Sequence, residues 1–457
     1  MAISKKLKLS FFGGAGEVTG SNFLIEGEGK KILIDCGLYQ GSKIGDLRNL
    51  DPLLYNAAEI DVVFVTHAHI DHIGRIPKLI KDGFRGEIYS TIPTKEIGEL
   101  SLMDSLGVLG KEAKRDNHPV IYREEDVLHA VKLWKTVGYH EPVKVGENIS
   151  VVFRDAGHIL GSAMVEITYN GKKILFTGDL GNSPAPLLRD TEKVTDADYM
   201  VIESVYGDRN HESVDERKKK TEQVIEDTIS KGGVLMIPAF SIERTQDLLL
   251  EINNLVENKR IPPVSIFLDS PLAINVTKIY RNNQDFFNKE ALGIIHGGDD
   301  IFNFPGLKLT PTTEESKKII DYPNPKIIIA GSGMSNGGRI VHHEQNYLGD
   351  PRSTLMLIGY QAVGTPGRML QEGAKRVRIN ATEVEVKAKV VSISGYSAHK
   401  DGDHLFKFVK GTADTLKKVF VVHGELKTTM FFVQRLRDYL GLNAMAPQAG
   451  ESVELDF

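Results

Sequence analysis

Apolar and polar positions alternate with a period of two through a series of short segments that opens the chain. LKLSFFGG (7–14), SNFLIEG (21–27), KKILIDCG (30–37) and DVVFVTHAH (61–69) each read as a strand bounded by Gly, Asp or Asn. ISVVFRDAGH (149–158), AMVEITYNGKKILFTGDLG (163–181) and ADYMVIES (197–204) continue the pattern. Inside the second of these, Asn170-Gly171 between β-formers predicts a hairpin, because both residues accept the positive φ of a tight reversal.

From Asp208 the period changes. ERKKKTEQVIEDTISKGG (216–233) is a charged amphipathic helix, and the run Arg217-Lys218-Lys219-Lys220 reads as its solvated face. A buried strand, GGVLMIPAF (232–240), and a second helix, ERTQDLLLEINNLVENK (243–259), follow. VSIFLDSPLA (264–273), KIIIAGSG (326–333) and STLMLIGYQ (353–361) are further apolar strands. Such strand–helix–strand repetition predicts a parallel α/β domain. β character resumes in KAKVVSISGYSAH (387–399) and KKVFVVHGE (417–425), and a helix follows.

Composition narrows the class without naming it. The 457 residues are enough for roughly two or three domains, and 41% hydrophobic with 26% charged residues is ordinary for a soluble globular protein. No apolar run approaches the ~20 residues of a membrane span. The opening MAISKKLKLSFFGG enters a strand-like segment with no long apolar stretch, which is not a signal peptide. Cys36, beside Asp35 in a strand, reads as core; as the only cysteine it excludes an internal disulfide and a thiolate metal cluster, and a cytoplasmic protein is expected. A net charge of −5 argues against wholesale attraction to nucleic acid but says nothing about local patches.

The chemistry gathers at strand ends. Thr66-His67-Ala68-His69-Ile70-Asp71-His72 follows the strand DVVFV. On an extended segment alternate residues point to one side, so His67 and His69 can share one metal, while Asp71 and His72, after a turn, can face a second. His158, Asp179 and His423 each stand just past another strand. Together these are seven ligands, more than one tetrahedral ion uses.

HxHxDH followed by an isolated His and then an Asp in TGD resembles the metallo-β-lactamase superfamily. Glu203 in VIESVYGDR, His399 in GYSAHKD and His423 in VVHGE are similar to motifs A, B and C of its β-CASP branch, the nucleases acting on RNA and DNA. The likeness covers essentially the whole chain and includes the endonuclease subunit of the pre-mRNA cleavage and polyadenylation machinery and its compact bacterial and archaeal relatives. It implies an α/β fold: a metallo-β-lactamase αββα sandwich (1–206 and 376–457) with an inserted parallel α/β β-CASP domain (207–375). It also implies two zinc ions, the first held by His67, His69 and His158, the second by Asp71, His72 and His423, with Asp179 bridging. Asp35 would support the site without touching metal. His399 would protonate the leaving oxygen, oriented by Glu203, with Asp71 also counted among the catalytic residues. The expected reaction is two-metal hydrolysis of single-stranded RNA, giving 5′-phosphate and 3′-hydroxyl ends. The resemblance leaves open the endo- or 5′-exonuclease mode and a homodimer. No membrane partner is expected. The competing readings are a thioester, lactam or lactone hydrolase of the same fold, and a catalytically silent RNA-binding subunit.

Weaker signals lie elsewhere. Gly13-Gly14-Ala15-Gly16-Glu17-Val18-Thr19-Gly20 reads as a tight turn near the metal site, because the third Gly of a dinucleotide fingerprint would fall one residue earlier. The loop Gly331 to Arg339 can present backbone N–H groups to phosphate, which makes Ser332, Gly333 and Arg339 candidates for RNA contact. Arg244, matching a family position facing the substrate cleft, and His343 join them. Asp269-Ser270-Pro271 reads as a helix cap.

Overall fold

The computed structural model describes residues 6–41, 43–379 and 382–457, and the chain divides into two compact units. The first comprises the chain up to Ala185, Arg189–Asn210 and His399–Phe457; the second comprises Pro186–Leu188 and His211–Ala398.

Two seven-stranded sheets build the first unit. One runs, in spatial order, Ser452–Asp456, Lys6–Gly13, Asn22–Gly27, Lys30–Ile34, Val62–Phe64, Glu87–Ser90 and Trp134–Thr136. The other runs Ala444–Met445, Lys418–Val421, Tyr199–Ile202, Lys172–Phe176, Ala163–Tyr169, Ile149–Asp155 and Val143–Lys144. Period-two patterning gives each sheet an inward apolar face, and the two faces form one core that includes Leu9, Phe11, Ile25, Phe64, Phe153 and Phe176. Helices Gly402–Lys410 and Leu426–Leu440 cover the outer face of the second sheet, where Leu405, Val409, Phe432 and Leu436 pack on Met164, Met200 and Val419. This is the αββα sandwich. The hairpin at Asn170-Gly171 forms as its sequence predicts, with φ of 49° and 78°.

The second unit centres on a six-stranded sheet in which every pairing is parallel, ordered Leu307–Leu309, Ser265–Asp269, Lys326–Ala330, Val234–Pro238, Thr354–Leu357 and Lys389–Ser392. Its central strands are buried throughout, as strands covered by helices on both faces must be. The sequence boundary at 375 falls short of the structural one. Lys389–Ser392 is the edge strand of this sheet, and the Tyr396 hydroxyl bonds Thr221 on the helix Val214–Ser230, so 376–398 belongs to the second unit. Arg217 also departs from the solvated face expected of it. It is buried, donates to Glu251 at 3.2 Å and lies over the Tyr396 ring, leaving only the lysines that follow it exposed.

Beneath the loop 331–339 one carboxyl is buried with little support. Glu344 accepts from the Ser335 hydroxyl at 2.5 Å through one oxygen, while its other oxygen has no hydrogen-bond partner. Burial pushes its pKa up to about 8, against an ordinary value of 4.5. The folded state therefore holds a proton that the unfolded chain releases, and this stability is fully present below about pH 4.5 and lost as pH rises through about 8. Relative to Glu344→Gln, the wild type should lose up to ~1.4 kcal/mol per pH unit across that window. Urea denaturation of both proteins at pH 5, 7 and 9 checks this; parallel stability profiles would contradict it.

Candidate metal centre

Every ligand-capable residue of the first unit's site leaves the end of a strand. His67 and His69 follow Val62–Phe64, and His69 then caps a one-turn helix, Ile70–Ile73, that carries Asp71 and His72. His158 follows Ile149–Asp155, Asp179 follows Lys172–Phe176, and His423 follows Lys418–Val421. Strand ends of one sandwich therefore bring together residues up to 356 positions apart, from His67 to His423.

Two sets of atoms converge. In the first, His67 Nε2 stands 3.0 Å from His69 Nδ1 and 3.4 Å from Asp179 Oδ2, and His158 Nε2 stands 3.3 Å from His69 Nδ1 and 3.5 Å from the same Asp179 oxygen. In the second, His72 Nε2 and His423 Nε2 lie 3.4 and 3.5 Å from Asp179 Oδ1, and 4.0 and 3.6 Å from Asp71 Oδ2. Each oxygen of Asp179 thus faces a different set.

These spacings suit a cation. Four ligands about 2.0–2.1 Å from a tetrahedral ion are separated by ~3.3 Å along each edge. His72 Nε2 and Asp179 Oδ1, both buried, have no hydrogen-bond partner, as expected of atoms aimed at an ion. The electrostatics of the first set agree. Burial holds His67, His69 and His158 below the ordinary imidazole pKa, and neighbouring imidazoles push the same way, so these rings are neutral and offer lone pairs. Burial also disfavours charge on His72, but Asp179 and Asp35 outweigh it and raise that group well above its ordinary value. Asp179, which burial alone would raise, is held well below the carboxylate range by His423, His72, His67 and His399.

Around the ligands stands a buried hydrogen-bond frame. Asp35 accepts from Thr66 N and Thr66 Oγ1, each at 2.8 Å, and from His72 Nδ1 at 2.7 Å. Because the Thr66 hydroxyl donates to Asp35, its lone pair is left to accept His67 Nδ1–H at 3.0 Å. One hydroxyl so fixes the tautomer of His67 while steadying the carboxylate that fixes His72. Thr66 was not singled out from the sequence; a Thr directly preceding HxHxDH is the signal that could have found it. The glycine-rich turn is built in as well. Gly14 O accepts from His423 N at 2.6 Å, and Glu17 O accepts from Gly424 N at 3.2 Å.

His399 adjoins the first set, its ring centroid 4.6 Å from that of His158, and groups with Asp179 and Glu203. Its Nδ1 lies 3.2 Å from Glu203 Oε2 and 3.9 Å from Asp179 Oδ2. Glu203 is buried and also accepts from the backbone N–H of Leu180 at 2.7 Å. The second-unit candidates sit differently. Arg339 donates to Asp269 Oδ1, Thr310 O and Pro311 O, and His343 Nε2 bonds Asp269 Oδ2 at 2.7 Å. Arg244 is buried, with Nη1 3.3 Å from Asp247. These three are engaged with carboxylates inside the unit. Ser332 donates to Asn336 at 2.5 Å, and Gly333 is buried, its carbonyl accepting from Gln361 and its missing Cβ leaving room for Phe240. Ser270 caps the helix Pro271–Asn282 as its sequence predicts.

Fold and site together define a divalent-metal hydrolase of the metallo-β-lactamase type. Comparisons with known proteins narrow this. The chain matches the models of the metallo-beta-lactamase superfamily domain over residues 24–199, the Beta-Casp domain over 245–370 and the Zn-dependent metallo-hydrolase RNA specificity domain over 383–447. It is 36% identical to Ribonuclease TTHA0252 of Thermus thermophilus over 91% of this chain and 92% of that protein. It is 33% identical to the RNase J-like protein of Methanocaldococcus jannaschii, over 97% and 98% of the two chains. With the transcription termination factor FttA of Methanosarcina mazei it shares 31% identity over 98% of this chain and 72% of that protein. A crystal structure of a protein of unknown function from Enterococcus faecalis V583 shares the fold, with a TM-score of 0.55 at 14% identity, covering 98% of this chain and 100% of that one. The chain belongs to the β-CASP branch of the metallo-β-lactamase superfamily. No helix among the described residues is long and apolar enough to cross a membrane.

The Thr66 hydroxyl gives the frame its test. Thr66→Val should lower metal affinity ~10–100-fold, and Thr66→Ser should keep it near wild type. Competition with a chromogenic chelator reads this directly; equal affinities for the two variants would show that the hydroxyl is not used.

Proposed function

We propose that this chain is a zinc-dependent ribonuclease that hydrolyses single-stranded RNA with two metal ions, leaving 5′-phosphate and 3′-hydroxyl ends. The observation that carries the reading is Asp179, whose two oxygens face two separate sets of imidazole nitrogens, the second completed by an Asp71 oxygen. Borderline-soft zinc suits a set of imidazole and carboxylate ligands without thiolate. The substrate class follows from the relatives named as ribonucleases and from the RNA specificity domain matched at 383–447.

In this reading His67, His69 and His158 would hold one ion and Asp71, His72 and His423 the other, with Asp179 between the two sets. Metal held there would supply Lewis acidity toward a phosphodiester and lower the pKa of a water. The chain's own residues do the rest. Asp35 and Thr66 keep the imidazoles oriented, as their hydrogen bonds indicate. Water adds to phosphorus and releases a proton to solvent, the bond from phosphorus to the 3′-oxygen breaks, and that oxygen needs a proton as it departs. His399 supplies it from Nε2, because Nδ1 faces Glu203. The second unit's loop 331–339 is our proposal for contact with the RNA backbone, with Ser332 and Gly333 as its members. Arg244, Arg339 and His343 join them in this proposal, oriented by Asp247 and Asp269.

Protein purified without chelator should hold close to two zinc ions per chain. Asp179→Ala should lower metal content and drop activity by orders of magnitude. Elemental analysis showing one ion, or none, in an active preparation would refute the two-metal reading. RNA should be cut far faster than DNA of the same sequence, since His423 occupies a motif position that is His in RNA-processing relatives and typically Val in DNA-processing ones. A 2′-OH gives the enzyme its means of discrimination. Time courses on matched labelled oligonucleotides decide it, and equal rates would sink the RNA assignment.

A further inference from the structure

His399 opens the segment that returns to the first unit, and something must hold it against the Asp179 loop. Gly181 forms an isolated antiparallel bridge with His399. The next residue, Lys400, is only 6% exposed. Its backbone N donates to Leu180 O at 2.8 Å, and its Nζ donates to Gly181 O at 2.6 Å and to Ser183 Oγ at 3.0 Å. The platform it grips is itself fixed. Leu180 N donates to Glu203, Gly181 N donates to Ala156 O at 2.9 Å, and a Cβ on Gly181 would lie 1.8 Å from Gly157 O. Asp179 begins this platform, Glu203 lies under it, and Lys400 ties His399 to its far end.

A lysine this buried is costly, and a apolar side chain of similar shape would pack there without that cost. What the ammonium adds is two directed hydrogen bonds to one short segment. We propose that Lys400 is a positioning residue for leaving-group protonation: its clamp on Gly181 O and Ser183 Oγ sets the register of His399 so that the imidazole stands between Glu203 and the departing 3′-oxygen. The proposal rests on the reading of His399 as proton donor. The hydrogen bonds of Lys400 go to Leu180, Gly181 and Ser183, none of which belongs to the two metal sets. Its loss should therefore cost protonation, not metal binding.

The test compares ordinary RNA with an RNA whose scissile 3′-oxygen is replaced by sulfur, which departs without needing a proton. Lys400→Met should keep both zinc ions and its KM, and lose on the order of 10²-fold in kcat on ordinary RNA, the scale of an approximately 1 Å misplacement. On the sulfur substrate it should return to within about threefold of wild type. Ser183→Ala, at a half-buried surface position, removes one acceptor and should show a few-fold version of the same pattern. It carries the test alone if Lys400→Met does not fold, and a Ser183→Ala enzyme unchanged on ordinary RNA would then overturn the proposal. Loss of zinc in proportion to activity, or equal impairment on both substrates, in Lys400→Met also overturns it. His399→Ala is run alongside. If that variant is impaired equally on both substrates, the proton-donor reading itself fails; if it is rescued and Lys400→Met is not, only the role of Lys400 fails.

Discussion

The Asp179 carboxylate is buried with the imidazoles of His67, His158, His72, His423 and His399 at 3.4 to 3.9 Å, and this sets the electrostatic condition that the surrounding fold must meet. A buried anion costs several kcal/mol unless positive charge answers it. Lone pairs of neutral imidazoles cannot answer it, and burial keeps His67, His69 and His158 neutral. His72, raised by Asp179 and Asp35, supplies one proton on one side only. The three imidazoles of the first set carry no such proton. Cations on both sides would relieve both the carboxylate and the facing lone pairs, and would couple the energy of metal binding to that of holding these loops in place.

Backbone geometry follows from crowding strand ends around that carboxylate. Gly178 turns at φ 52°, and a Cβ there would lie 2.8 Å from Thr66. Gly37 is tighter still, because a Cβ would fall 1.5 Å from Asp71 O, where the turn carrying Asp71 and His72 crosses behind Asp35. Two site residues take the left-handed region without being glycine, Asp35 at φ 59° and His423 at φ 48°. Such conformations cost on the order of 1–3 kcal/mol each and persist where other bonds over-determine them. Asp35 has its three hydrogen bonds to Thr66 and His72, and His423 has its N–H on Gly14 O.

How legible each part was depended on how local its physics is. The HxHxDH cluster, the strand segments and the hairpin are set by neighbours a few residues away, so period and spacing reveal them. Roles set by distant partners were not legible. Arg217 looked like part of a basic surface because its partners, Glu251 and Tyr396, lie far along the chain. Arg339 and His343 looked free to meet phosphate because Asp269, about 70 residues earlier in sequence, is what they bind. Lys400 drew no attention for the same reason, since its acceptors are 217 and 219 residues away. The edge strand Lys389–Ser392 reads as β from its sequence but falls within the range 376–457 assigned there to the sandwich, because a strand's partner is a tertiary fact.

His343 and His399 show why residue type alone could not assign these roles. Each sits on a buried carboxylate, His343 on Asp269 and His399 on Glu203. Asp269 is also bound by Arg339, Ser316 and Thr310, so it is a structural hub whose bonds tie a loop, a strand end and a helix together. Glu203 receives the backbone N–H of Leu180, on the very segment that carries Asp179, and the imidazole it holds stands 3.9 Å from that residue. The His343 side chain is 7% exposed and that of His399 is 18%. The His343–Asp269 pair is enclosed among packing partners, whereas the His399–Glu203 pair stands beside Asp179 with a more accessible edge, which favours His399 for the proposed proton transfer. What separates them is the third group each faces: for His399 it is Asp179, the same carboxylate that organises the metal sets.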